Sequence, residues 1–113
     1  MDYYRAADVF VLGSLQEGFG RVFLEALNHG LPAIAHDHPV MRFVLGSHGT
    51  LADLSKAGAL ADQLSLALPI QNTPEAAAER RESVRRRFSW PALAPQYRDM
   101  FLDCTRRVQP SLK

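Results

Sequence analysis

The sequence predicts an α/β protein built on a short parallel sheet, and three observations carry that prediction. Two brief apolar runs, "VFVL" at Val9 to Leu12 and "PAIAH" at Pro32 to His36, have the length and unbroken apolarity of strands buried on both faces. A helix-patterned stretch from about Phe19 to His29 lies between them, with Gly30 as its stop and Pro32 guarding against continuation. Strands and helices go on alternating, which is the pattern of parallel units joined by right-handed crossovers. Only three strands can be placed, all short, where a doubly wound sheet has about five or six. The chain therefore reads as the back half of a Rossmann-like three-layer domain, followed by C-terminal helices, with the opening strands absent.

Taken in order, "DYYRAA" reads as the last turns of a helix and "VFVL" as the first strand. The loop "GSLQEG" leads into the Phe19 to His29 helix, and "PAIAH" is the second strand. "HPVMRFVLGS" reads as a short helical turn ending at Gly46, and "GTLADL" as a third strand. Ser55 is placed to cap a helix running to about Leu68, whose inward face would be Ala57, Leu60, Ala61, Leu64 and Leu68. Thr73 and Pro74 form an N-cap and first-turn pair for a helix to Phe88. Ser89 caps the last helix, with Leu93, Ala94, Tyr97, Met100 or Phe101, and Cys104 as its apolar stripe. Phe88 and Trp90 read as packing anchors between these two helices, and Cys104 as a core residue.

A length of 113 residues is at most one domain and is enough to bury a core. The chain is 47% hydrophobic and 22% charged with a net charge of +1, so its overall balance does not point to nucleic acid or membrane. The single cysteine excludes an internal disulfide and fits a reducing compartment. No run approaches the roughly 18 apolar residues of a membrane span, and "MDYYRAAD" lacks the pattern of a signal peptide. A cytoplasmic protein is the expectation.

The chemistry concentrates in "SLQEGFGRVFLEALNHGLPAIAHD", Ser14 to Asp37. Glycine is a poor helix former, yet Gly18 and Gly20 stand where a helix begins. Ligands of parallel sheets sit beyond the carboxyl ends of the strands, and Gly13 to Gly20 lies at that rim. The amides of Gly18, Phe19, Gly20 and Arg21 would open the helix unsatisfied, with the helix dipole behind them, which suits a phosphate. Carboxylates are strong acceptors for sugar hydroxyls. Glu17 in the loop and Glu25 about one turn inside the helix stand about 10 Å apart at a rise of about 1.5 Å per residue. A diphosphate bridging a ribose and a sugar fits that gap. On the residues alone, "EGFG" reads equally well as a plain turn before a solvated helix, because a short glycine loop is a weak signal.

The run "YRAADVFVLGSLQEGFGRVFLEALNHGLPAIAHD" resembles the nucleotide-sugar-binding segment of retaining glycosyltransferases of family 4, which have the two-domain GT-B fold. The shared motif is E-x7-E, here Glu17 and Glu25, between an "ADVFV" and a "GLPAIA" strand. The likeness continues through "GTLADLSKAGALADQL" to "RRRFSW", and it is most specific over residues 3 to 37. The resemblance implies that Glu17 contacts the hydroxyls of the donor sugar and Glu25 holds the ribose. It places the amides of Gly18, Phe19 and Gly20 against sugar and diphosphate, and those of Arg21 and Val22 against the phosphates. It implies a nucleotide-diphosphate sugar as substrate and no metal or other cofactor, and an acceptor that is a sugar or a lipid-linked glycan. Peripheral contact with the inner face of the membrane would go with the latter.

The chain departs from the family pattern at "HDHPVMRF", where many members carry a glycine-rich "GG-PE" turn, and Met41 and Arg42 replace a small and an acidic residue. Arg21 replaces a common apolar residue; it reads either as a surface arginine or as added charge near the phosphates. The basic residues that grip the diphosphate in the family, and the whole acceptor-side domain, lie upstream of these residues. Two other readings stand beside the enzyme: a non-catalytic truncated fragment or nucleotide-binding module, binding nucleotide weakly or not at all, and a GT-B nucleotide-sugar epimerase, which the E-x7-E spacing argues against.

"HDH" at His36 to His38, with His29 and His48, lacks the converging spacing of a metal site. "ERRESVRRR", with five arginines in nine residues, reads as a solvated helix face whose Ala77, Val84 and Phe88 turn inward while Arg81, Arg85 and Arg86 project outward. No nucleic-acid partner is expected. A three-stranded sheet leaves Val9 to Leu12 as an apolar edge, so a homodimer or swapped assembly is expected.

Overall fold

The computed structural model describes residues 2–70 and 72–108. Its elements run α1 (Asp2–Ala6), β1 (Phe10–Leu12), α2 (Arg21–Asn28), β2 (Ala33–His36), α3 (Pro39–Leu45), a 3-10 turn (Gly46–His48), β3 (Thr50–Ala52), α4 (Ala59–Ile70), α5 (Pro74–Phe88) and α6 (Trp90–Val108). The sheet has the order β1-β2-β3 and is parallel throughout, pairing Val11 with Ile34 and Ala35 with Leu51. The α/β class and the three-stranded parallel sheet thus match the reading of the apolar runs.

Burial follows position in the sheet. Ala33, Ile34 and Ala35 of the central strand are all buried, so both of its faces are covered. β1 and β3, at the two edges, are half-buried throughout. Phe23 and Leu27 from α2 meet Met41, Val44 and Leu45 from α3 over Ala33 and Ala35, which makes the main core. Burial of such side chains stabilises by roughly 1.5–3 kcal/mol each.

α5 is held onto this core by its arginines. Gly30 closes α2 at φ +82°, and a Cβ there would stand 3.0 Å from Ala77 Cβ, so the two helices meet closely at this point. The last carbonyls of a helix have no partner within it and sit at the negative end of its dipole. Arg80, buried in the contact, donates from Nε to Gly30 O at 2.9 Å, and Arg81 donates to His29 O at 3.3 Å. Arg87 does the same for α3, donating to Val44 O at 3.2 Å and to Phe43 O. The arginine-rich stretch is therefore more than a solvated face. Arg81, Arg85 and Arg86 are exposed as expected, but Arg80 is buried and desolvation pushes its guanidinium pKa down.

Helices α4 and α6 differ most from their sequence reading. α4 begins at Ala59 rather than at Ser55. The carboxylate of Asp53 accepts from both the amide and the hydroxyl of Ser55, which spends the serine in a local turn. Gly58, at φ +84°, then redirects the chain, and its carbonyl accepts from Asp62 N at 3.0 Å. The inward face shifts with the start: Ala67 is buried and Leu64 half-buried, while Leu60, Ala61 and Leu68 are exposed and Ala57 precedes the helix. In α6, Leu93 and Ala94 are half-buried, but Tyr97, Met100, Phe101 and Cys104 are exposed, so Cys104 is not a core residue. α6 packs on α5 through its first turns and then runs clear of it. The radius of gyration is accordingly 18.1 Å, against about 13 Å for a compact chain of this length. Trp90 is 69% exposed and packs on Tyr97 of its own helix at 5.9 Å, so it does not anchor α5 to α6.

These surfaces bear on assembly. Phe101 is 62% and Val108 76% exposed on α6, and β1 offers an unpaired strand edge. The 113-residue chain expressed alone is expected to self-associate, with sedimentation velocity giving a dimer or larger species at micromolar concentration. A monomer that stays ideal across that range removes the expectation.

Candidate functional site

The loop Gly13 to Gly20 leaves the carboxyl end of β1 and delivers the chain to α2. It begins with a local turn in which Ser14 Oγ donates to Gln16 O at 2.9 Å. Its far end is anchored on α5, where the Phe19 ring packs edge-on against Phe88 at 5.9 Å, and Phe88 packs in the same way on Phe43 at 6.0 Å. Arg87 lies over the Phe88 ring at 4.7 Å. Phe88 is thus a packing anchor, but for the glycine loop and α3 rather than between the last two helices.

The two glycines of "GFG" do different jobs. Gly20 sits at φ 72°, ψ 55°, and a Cβ there would meet Phe23 Cδ2 at 2.8 Å and Met41 Cε at 3.0 Å. Glycine at 20 is therefore required by backbone conformation and by the core. A Cβ at Gly18 would meet nothing within 4 Å, so no internal contact demands glycine there and the backbone faces open space. Gly20→Ala is expected to cost about 2 kcal/mol, seen as an earlier thermal melt. Gly18→Ala should melt with the wild type, and an equally destabilised Gly18→Ala would contradict this division.

Gly20 is also the N-cap, so α2 starts at Arg21, two residues later than the periodicity suggests. Gly20 has no side chain to cap with, and Phe23 N donates back to Gly20 O at 2.9 Å. The amides of Arg21 and Val22 remain without an acceptor among the described residues. The amides of Gly18, Phe19 and Gly20 likewise meet no acceptor among the described residues, so the open amides run from the loop into the first helical turn.

Glu17 is half-buried, and its carboxylate has no hydrogen bond or ion pair among the described residues. Glu25 is engaged: its Oε2 accepts from the Tyr4 hydroxyl at 3.0 Å. Arg21 and Glu25 share one face of α2 with Leu24 and Asn28, and this face lines a groove of about 710 Å³ against Arg81, Arg85 and Phe88 of α5. Of the seven residues singled out in sequence, only Arg21 and Glu25 line that groove. Glu17, Gly18, Phe19, Gly20 and Val22 stand outside it, in the loop and at the start of α2. Arg85 is committed to Glu82 in a two-point ion pair at 2.9 and 3.0 Å, whereas Arg21 has no acidic partner among the described residues.

The divergent "HDHPVMRF" stretch is accounted for by packing. Met41 is buried beside Phe23, and Arg42 binds Asp37 through two hydrogen bonds of 2.6 and 2.9 Å. That pairing first, with the Arg42 charge, holds the Asp37 carboxyl below its ordinary range. His38 caps α3 by accepting from Val40 N at 3.3 Å, and His36 Nδ1 accepts from Leu54 N at 3.1 Å. Among the described residues no three histidine, cysteine or carboxylate side chains converge as a metal cluster. Nor is any described helix long and apolar enough to cross a membrane.

Set beside known proteins, residues 1–84 match the family model described as "Glycosyl transferases group 1". The chain belongs to that family. It is 32% identical over 87 residues to the O-antigen chain mannosyltransferase B of Escherichia coli, covering 77% of this chain and 23% of the relative. It is 33% identical over 108 residues to a D-inositol 3-phosphate glycosyltransferase of Xylanimonas cellulosilytica, covering 94% and 26%. A D-inositol 3-phosphate glycosyltransferase of Corynebacterium glutamicum is 34% identical over 102 residues, covering 88% and 24%. The chain thus spans about a quarter of the length of these curated relatives. No solved structure matches the chain.

Tyr4 and Arg80 escaped the sequence reading. Each acts across a large separation, 21 positions for Tyr4 and Glu25 and 50 for Arg80 and Gly30, which no local spacing encodes.

Proposed function

We propose that these residues form the donor-nucleotide side of a retaining glycosyltransferase that transfers a sugar from a nucleotide-diphosphate sugar to an acceptor hydroxyl. The observation that carries this reading is the start of α2. There the uncapped amides of Arg21 and Val22 and the open backbone at Gly18 face the carboxyl end of the sheet, with Glu25 one turn further along. Such a terminus favours a diphosphate through its free donors and its dipole. In this assignment Glu25 accepts from the ribose hydroxyls and Glu17 from those of the donor sugar. The amides of Gly18, Phe19 and Gly20 lie along sugar and diphosphate, and those of Arg21 and Val22 receive the phosphate oxygens. The exposed guanidinium of Arg21 adds positive charge beside them.

Catalysis in this scheme is electrostatic. The bond from the anomeric carbon to the phosphate oxygen breaks while a bond to the acceptor oxygen forms on the same face; the acceptor's hydroxyl proton passes to the departing diphosphate oxygen, whose charge the helix terminus stabilises without a metal. The acceptor, a sugar or a lipid-linked glycan, lies on a surface these residues do not supply, so the 113-residue chain binds nucleotide but does not turn over. The matched relatives' names agree on glycosyl transfer and differ in what receives the sugar, so they support the donor side of the reading. Calorimetry of the chain with UDP, GDP and ADP tests it. One of the three should bind with micromolar to millimolar affinity, and absence of binding by all three would overturn the assignment.

A further inference from the structure

The contact between Tyr4 and Glu25 assigns α1 a part in the site, resting on the reading of Glu25 as the ribose acceptor. Tyr4 is pinned on two sides. Its ring stacks on His29 with centroids 5.1 Å apart and planes 9° from parallel, and it lies against Phe10 at 6.1 Å. His29, the C-cap of α2, stands four residues beyond Glu25, so the ring is held beside the helix end that carries the carboxylate. The hydroxyl then donates to Glu25 Oε2 at 3.0 Å.

A glutamate on an exposed helix face samples many rotamers, and fixing it costs entropy at the moment of binding. Here one oxygen is already held by a donor anchored on two aromatic rings. The other oxygen, and the remaining lone pair of the first, are left to accept from two adjacent hydroxyls. Burial first, then the hydrogen bond and negative charge of Glu25, keep the phenol's pKa above its ordinary value, so it stays a donor at neutral pH. We infer that Tyr4 is a positioning residue that presets the Glu25 carboxylate for a vicinal diol, and so gives the site its preference for ribonucleoside over 2′-deoxyribonucleoside diphosphates.

The test compares UDP, GDP and ADP with their 2′-deoxy counterparts by calorimetry, on the wild-type chain, Tyr4→Phe and Glu25→Ala. Phenylalanine keeps the ring, the stack on His29 and the contact with Phe10, and a thermal melt close to wild type verifies that the fold is retained. The wild type should prefer the ribonucleotide by about tenfold, the effect of one hydrogen bond to a charged group. Tyr4→Phe should reduce that preference to within about threefold while leaving the affinity for the 2′-deoxynucleotide nearly unchanged. Equal weakening of both nucleotides would make Tyr4 a strap between α1 and α2 and overturn the inference. A full preference in Tyr4→Phe, lost only in Glu25→Ala, would overturn it too while leaving Glu25 on the ribose. A wild type with no preference, or with no nucleotide binding, removes the Glu25 reading itself and this inference with it.

Discussion

Replacing Arg80 by alanine is expected to lower the stability of the fold by about 3 kcal/mol, the largest effect of any single change considered. Only 4% of the residue is exposed, and its Nε–H satisfies the carbonyl of Gly30 at the end of α2. Alanine leaves that carbonyl buried without its partner and opens a void where the guanidinium and its methylene stem had packed. Lysine would restore the charge but not the planar fork, so Arg80→Lys should recover only part of the loss. The consequence reaches the site, because α5 supplies Phe88, on which Phe19 rests, and one wall of the groove beside Glu25. Urea unfolding measures the effect, and an unfolding free energy within about 0.5 kcal/mol of wild type would show that Arg80 does not hold the helices together.

Glu25→Ala is expected to weaken nucleotide binding by about tenfold to a hundredfold without changing the melting temperature. The side chain is exposed on α2 and buries nothing, so its loss should be felt by the ligand rather than by the fold. Glu17→Ala provides the contrast. If Glu17 faces the donor sugar, its removal should leave the affinity for a nucleoside diphosphate unchanged and weaken only the corresponding nucleotide sugar. Calorimetry with both ligand types separates the two carboxylates. An unchanged nucleotide affinity in Glu25→Ala would detach Glu25 from the ribose, and equal losses for both ligands in Glu17→Ala would detach Glu17 from the sugar.

Much of the framework was legible because it is local. The run "PAIAH" reads as a strand buried on both faces, and Ala33 to Ala35 are buried on both. Thr73 and Pro74 read as a helix start, and Thr73 Oγ1 accepts from Ala76 N at 3.1 Å. Gly30 reads as a helix stop and takes the left-handed conformation that such a stop requires. The misreadings have an equally local cause. Ser55 has the chemistry of a cap, but Asp53 lies two residues upstream and claims it first. The stripe on α6 has the period of a buried face, yet periodicity reports which side is apolar and not whether anything lies against it.

By itself, then, the sequence determined the alternation of strands and helices and the glycine-led start of α2. Each follows from interactions a few residues long, which periodicity and side-chain chemistry encode directly. Only the tertiary structure decided that Gly20 answers to the core while Gly18 faces open space, that Arg80 is buried while Arg81 is not, and that Tyr4 reaches Glu25. Those outcomes depend on which distant segments the folded chain brings together. A side chain's burial and partners are set by neighbours in space, and the spacing of residues along the chain does not specify them.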